Sequence, residues 1–169
     1  MGSYSKGKEE AVRWIKDHFK SGAKCLDVGA CNGKWFNLLW DYITMDGLEV
    51  WQPYISKFNL VAKYRRLFEV DIRDFKYDWY DLIIFGDIIE HLSVEDAQRV
   101  LEYAKSRCQN MIVAVPFKYK QGEKNGNPYE VHVQDDLTPE LFNERYPGFV
   151  PIYMSDDYAY YVKMAQNDT

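Results

Sequence analysis

The chain has 169 residues, a formal net charge of −5 and 17 % aromatic residues, which suits one domain with a single core and disfavours the wide basic surface that holds a nucleic-acid backbone. Its three cysteines, Cys25, Cys31 and Cys108, include no Cys-x-x-Cys pair, which speaks against a disulfide frame or a zinc site. No run of roughly 18 apolar residues marks a membrane span, and Met1–Lys20 is too charged for a secretory signal, so a soluble, cytoplasmic protein is expected.

Glu9–Phe19 carries apolar residues at Ala11, Val12, Trp14, Ile15 and Phe19, the spacing of an amphipathic helix. The segment before it, with Tyr4 and Lys6-Gly7-Lys8, is a candidate cap over a ligand. His18 lies among Lys16, Asp17 and Lys20 and reads as solvent-exposed, and most lysines read as solvating. Cys25, Leu26 and Val28 make a first strand with Asp27 near its end, followed by the turn Gly29-Ala30-Cys31-Asn32-Gly33. Small residues at such a turn let a ligand approach the backbone. A helix is predicted over Trp35–Tyr42 and a strand over Thr44–Val50. Pro53 then opens a helix whose buried face is Tyr54, Ile55, Phe58, Leu60 and Val61. Arg66–Val70 is a third strand. Leu82–Phe85 lacks polar alternation, as a central parallel strand covered on both faces requires.

Ser93, with Asp96 three residues on, caps a helix whose apolar stripe is Ala97, Val100, Leu101 and Ala104. Met111–Val115 is a fifth strand stopped by Pro116. Phe117–Asp136 is long, polar and glycine-bearing, and reads as a lid or a disordered insertion. Thr138-Pro139-Glu140 starts a short helix to about Arg145, and Val150–Met154 with Tyr158–Met164 reads as a terminal antiparallel hairpin. The alternation of strands and helices makes the class α/β. Residues 1–169 form one domain, with 1–20 as N-terminal helix and cap and 117–136 as a substrate lid.

The first turn narrows the ligand. Ala30, Cys31 and Asn32 separate Gly29 from Gly33, which departs from the dinucleotide fingerprint, and Gly33-Lys34 is followed by Trp35 rather than the Ser or Thr of a phosphate-binding loop. An adenosine ligand without a pyrophosphate remains. Four segments in order, Leu26-Asp27-Val28-Gly29-Ala30-Cys31-Asn32-Gly33, Met45–Val50, Glu69-Val70-Asp71-Ile72 and Tyr80–Leu92, resemble the class I S-adenosylmethionine-dependent methyltransferases, in particular the ubiquinone-biosynthesis type. The resemblance implies a Rossmann-like seven-stranded mixed sheet, mostly parallel with a C-terminal antiparallel hairpin, flanked by helices. It also implies S-adenosylmethionine held by Asp27, Gly29, Ala30, Asn32 and Gly33, by Glu49 and Val50, by Asp71 and Ile72, and by Gly86 and Asp87. Glu49 would take the ribose hydroxyls, with Asp46 as the fallback, and Asp71 would face the adenine amino group.

Asp87, Glu90 and His91 follow the fourth strand, where open parallel sheets bind ligands. Three readings stay open there. His91 or His132 accepts the proton of a hydroxyl nucleophile. Alternatively Asp87, Glu90 and His91, joined by His132, hold Mg²⁺ or Mn²⁺, because Asp87-x-x-Glu90-His91 is similar to the Glu-x-x-Glu-His of metal-assisted ubiquinone and small-RNA terminal O-methyltransferases. In the third reading Glu90 pairs a lysine and His91 bonds backbone, bracing the loop. The expected acceptor is a small hydroxylated molecule or sugar. The alternatives are an RNA end, for which Lys118, Lys120 and Lys124 are the candidate contacts, and a non-catalytic binding or scaffold domain.

Overall fold

The computed structural model describes residues 6–164; the Tyr4 part of the expected cap lies outside them. Seven strands form one sheet in the order β3-β2-β1-β4-β5-β7-β6, with β1 Lys24–Val28, β2 Thr44–Glu49, β3 Leu67–Glu69, β4 Tyr80–Gly86, β5 Cys108–Pro116, β6 Val150–Met154 and β7 Tyr158–Met164. β1 to β5 pair in parallel, and β7 runs antiparallel between β5 and β6. This is the mixed sheet with the terminal hairpin that the sequence pattern implies.

Strand alternation divides the interior into two faces. Leu26, Val28, Ile83, Phe85, Met111, Val113 and Val115 build one core with Ala97, Val100, Leu101 and Ala104 of α4 (Val94–Lys105) and Phe142 of α5 (Pro139–Arg145). Cys25, Leu82, Ile84, Ile112 and Ala114 build the other with Ala11 and Ile15 of α1 (Lys8–His18), Trp35 and Leu39 of α2 (Lys34–Leu39) and Ile55 of α3 (Gln52–Lys57). The caps are local. Ser93 Oγ accepts from the Asp96 amide at 3.1 Å, and Thr138 Oγ1 from the Leu141 amide at 3.2 Å.

Three expectations need correcting. α3 ends at Lys57, Asn59 adopts a left-handed φ of 50°, and a single 3₁₀ turn over Leu60–Ala62 leaves Val61 exposed rather than buried. Asp46 is fully buried among Arg65, Arg66 and the Tyr80 hydroxyl, which together saturate its carboxylate; it braces β2 and is removed as a ribose ligand. Lys8 is not a solvating lysine. It is 3 % exposed, its ammonium lies 4.3 Å from the centre of the Trp35 ring, and it donates to the Tyr160 hydroxyl. Burial lowers its pKa to about 8 against the opposing pull of Asp87. His18 is exposed, as expected, and bonds the Trp14 carbonyl.

Candidate active site

The sheet reverses direction of growth at β1, which pairs with β2 on one side and β4 on the other. At that switch point the carboxyl ends of the strands leave a crevice, and a cavity of about 470 Å³ lies there. Gly29 makes its floor possible. Its φ is +71°, and a Cβ there would come within 2.1 Å of Ile88 Cδ1, so a side chain at this position would both strain the turn and push the Ile88 side chain aside. The amides of Gly29 and Ala30 both donate to the Leu48 carbonyl.

Glu49 closes β2 and lines the cavity. It is 5 % exposed, its Oε2 accepts from the Cys31 amide and its Oε1 from the Trp51 amide, each at 2.8 Å. Burial raises its pKa and the backbone amides pull it back. Ala30, Asn32, Val50, Asp71, Ile72, Gly86 and Asp87 line the cavity with it. Asp71 is gripped by Arg73 through its Nε and NH2 and by the Arg73 amide, and these bonds hold its pKa below the usual carboxylate range. Asp71 therefore presents an ion pair to the cavity rather than a lone carboxylate.

Two expected cofactor contacts lie elsewhere. Asp27 does not line the cavity: it points to the opposite sheet face from Leu26 and Val28, is 1 % exposed, and accepts from the Tyr64 hydroxyl at 2.5 Å. Burial pushes its pKa up to about 7. Gly33 is also absent from the lining; with a φ of +73° it starts α2 beneath the Lys63 side chain.

In the same cavity Glu90, His91 and His132 each place a ligand atom within 4.8 Å of the others. Asp87 is not one of this set. Its backbone is left-handed at φ 59°, and its carboxylate accepts from the Tyr158 hydroxyl. The set named from sequence, Asp87, Glu90 and His91 joined by His132, thus loses Asp87 and keeps the other three. The expected lysine partner of Glu90 is missing too: the side chain is fully buried and neither oxygen has a hydrogen-bond partner among the described residues. Burial, then the nearby Asp87 charge, raises its pKa strongly. His91 Nδ1 lies 3.1 Å from the Val131 carbonyl and His132 Nδ1 2.7 Å from the Tyr119 carbonyl. A carbonyl only accepts, so each Nδ1 carries the proton and each Nε2 keeps its lone pair. Burial and His132 bring the His91 pKa down to about 4, and burial lowers that of His132.

Gln134 joins the two segments that carry these ligands. Its Nε2 donates to the Ile89 and Leu92 carbonyls, its Oε1 accepts from Tyr146 and Arg145, and the Val133 and Gln134 amides donate to the Glu90 carbonyl. Gln134, Tyr158, Tyr54 and Glu130 escaped the sequence reading. They act through contacts between distant segments, and none has a motif of its own. Of the three loop lysines, Lys118 and Lys120 are exposed and Lys124 lines the cavity.

The strand order and the position of the crevice define the fold of class I S-adenosylmethionine-dependent methyltransferases. No protein-family model and no curated protein matches the sequence. Among solved structures the chain is similar to an S-adenosylmethionine-dependent methyltransferase from Clostridium acetobutylicum, with 12 % identity and a TM-score of 0.71 over 96 % of this chain and 92 % of that one. It is similar to magnesium protoporphyrin IX methyltransferase from Synechocystis with bound S-adenosylmethionine, with 14 % identity and a TM-score of 0.63 over 94 % and 77 %. A third is the 1,6-didemethyltoxoflavin-N1-methyltransferase of Burkholderia thailandensis, solved with its substrate and S-adenosylhomocysteine: 13 % identity, TM-score 0.68, covering 96 % and 79 %. Among the described residues no helix is long and apolar enough to cross a membrane.

The burial of Asp27 has a measurable signature. A folded-state pKa of about 7 against an unfolded value of about 4 means that the folded chain holds a proton the unfolded chain releases. The associated stability is complete below pH 4 and is lost as the pH rises to 7. In denaturant unfolding across that window the wild type should lose stability relative to Asp27→Asn. Parallel pH profiles would mean that the carboxyl is ionised in the fold.

Proposed function

We propose that the protein transfers a methyl group from S-adenosylmethionine to a hydroxyl of a small hydroxylated acceptor such as a sugar, with a divalent cation held by Glu90, His91 and His132. The observation that carries this reading is that one cavity is lined by a buried carboxylate held by backbone amides, Glu49, and by two neutral imidazoles beside a carboxylate that has no partner among the described residues. The fold, and the S-adenosylmethionine and S-adenosylhomocysteine bound by two of the similar structures, support the nucleoside assignment.

Glu49 would accept from the ribose hydroxyls while keeping its two backbone amides. Asp71 with Arg73 and Ile72 would face the adenine, and Gly29–Asn32 with Gly86 would let the ligand lie against backbone. S-adenosylmethionine supplies a methyl group on a sulfonium, an electrophile that needs alignment more than activation. At the acceptor end a divalent ion supplies a Lewis-acidic centre that orients a hydroxyl and lowers its pKa. The residues fit such an ion: among the described residues both Nε2 lone pairs are free of hydrogen-bond donors in this tautomer, each ring is fixed by a carbonyl at Nδ1, and Glu90 has no competing partner. Two imidazoles and one carboxylate suit Mn²⁺ or a neighbouring transition ion better than Mg²⁺. The ligand role also fits His91 better than a base role, because a histidine with a pKa of about 4 is a poor proton acceptor at neutral pH. A small acceptor is favoured over an RNA end because only one of the three loop lysines reaches the cavity.

Two variants test the two ends separately. Glu49→Gln should weaken S-adenosylhomocysteine binding about tenfold in calorimetry, the scale of a lost charge-assisted hydrogen bond; unchanged affinity would move the ribose elsewhere. In transfer assays with labelled S-adenosylmethionine over a panel of sugars and polyols, chelation of the wild type should abolish turnover, Mn²⁺ should restore it, and His132→Ala should respond to neither. Full turnover in the presence of a chelator would defeat the cation assignment.

A further inference from the structure

The cation ligands do not sit on one element. Glu90 and His91 belong to the 3₁₀ turn Ile89–His91 that follows β4, whereas His132 lies on segment 117–136. The same segment reaches the nucleoside end. Tyr54 on α3 donates its hydroxyl to Glu130 Oε1 at 3.0 Å, and the Tyr129 ring lies 6.2 Å from that of Trp51, whose amide holds Glu49. Gln121 ties the segment to itself by donating to the Glu130 carbonyl and carboxylate. Glu130 and His132 are neighbours but one in the chain, so whatever seats Glu130 against α3 also sets the approach of His132 to Glu90 and His91.

Seating this segment has a cost at the cation end. The Val133 and Gln134 amides close on the Glu90 carbonyl, and the Glu90 side chain is fully buried with neither oxygen partnered among the described residues. A buried carboxylate without a partner is unfavourable, and a cation between the three ligands offsets that. At the opposite end Tyr54, Tyr129 and Glu130 all line the cavity, so a nucleoside there would touch the seated segment as well.

We infer that segment 117–136 seats as one unit, so that S-adenosylmethionine at the Glu49 end and a divalent cation at the triad each strengthen the binding of the other, with Tyr54 and Glu130 as the positioning pair that links them. This rests on the functional reading above and extends it from occupancy of the two ends to their coupling. By linkage the effect is reciprocal, and the factor is the same from either side.

Calorimetric titration of the full chain with Mn²⁺, with and without saturating S-adenosylhomocysteine, reads the coupling directly, and the converse titration checks its reciprocity. Addition of S-adenosylhomocysteine should lower the Mn²⁺ dissociation constant about tenfold, within the usual span of coupled sites. Tyr54→Phe and Glu130→Gln should each reduce that factor to under about twofold while melting as the wild type does. The factor is a ratio within one variant, so a loss of nucleoside affinity alone does not move it. Two ligands that bind independently to the wild type would overturn the coupling and leave the functional reading standing. Coupling that persists in both variants would overturn the role of the pair. Failure of S-adenosylhomocysteine to bind would overturn the functional reading along with the inference, and failure of Mn²⁺ to bind in either state would overturn the inference and the cation assignment only.

Discussion

Glu49 ends β2 with its carboxylate held between two backbone amides, those of Cys31 and Trp51. One amide belongs to the glycine-rich turn after β1 and the other to the chain entering α3, so a single side chain ties together two walls of the cavity. The rest of the site depends on this tie. It fixes the turn whose Gly29 leaves room for Ile88, and Ile88 stands directly before the turn that carries Glu90 and His91. It also sets the start of α3, from which Tyr54 reaches Glu130. The two amides fix the carboxylate in position and oppose the rise in its pKa that burial causes; in its charged form it can accept from a pair of ribose hydroxyls.

The sheet tolerates several buried charges around this cavity, and they divide by whether they have partners. Asp46 is satisfied by two arginines and a tyrosine and serves stability alone. Lys8 is offset by the Trp35 face and the field of Asp87. Glu90 has no such partner among the described residues. A buried carboxylate without a partner is unfavourable, and Glu90 stands beside two imidazoles. That contrast within one structure separates Asp46, which is braced on every side, from Glu90, the carboxyl group on which the proposed cation site rests.

Much of this was legible in the chain. The seven strands and their order of appearance follow from apolar runs broken by turn residues, and Gly29, Glu49 and Asp71 all fall on the cavity. Asp27 lies off the cavity lining, which the sequence does not show because both faces of β1 are buried: with no polar side to the strand, alternation carries no sign of which face meets the cavity. Val61 follows a left-handed Asn59 that interrupts the helical period. The absence of Asp87 from the set could not be read from local spacing, since Asp87 and Glu90 suggest one helical face, whereas the chain after β4 makes a left-handed step and a 3₁₀ turn. His132 joins them only through the fold of segment 117–136, whose hydrogen bonds run between residues far apart in sequence.

The central claim is that one cavity binds the nucleoside at Glu49 and a cation at Glu90, His91 and His132. Diffraction from crystals grown with S-adenosylhomocysteine and Mn²⁺, recorded for the anomalous signal of manganese, tests it most directly. The account predicts a manganese peak between the two Nε2 atoms and the Glu90 carboxylate, with the ribose hydroxyls on Glu49 in the same cavity. A nucleoside bound away from Glu49, or manganese found only outside the triad, would contradict it.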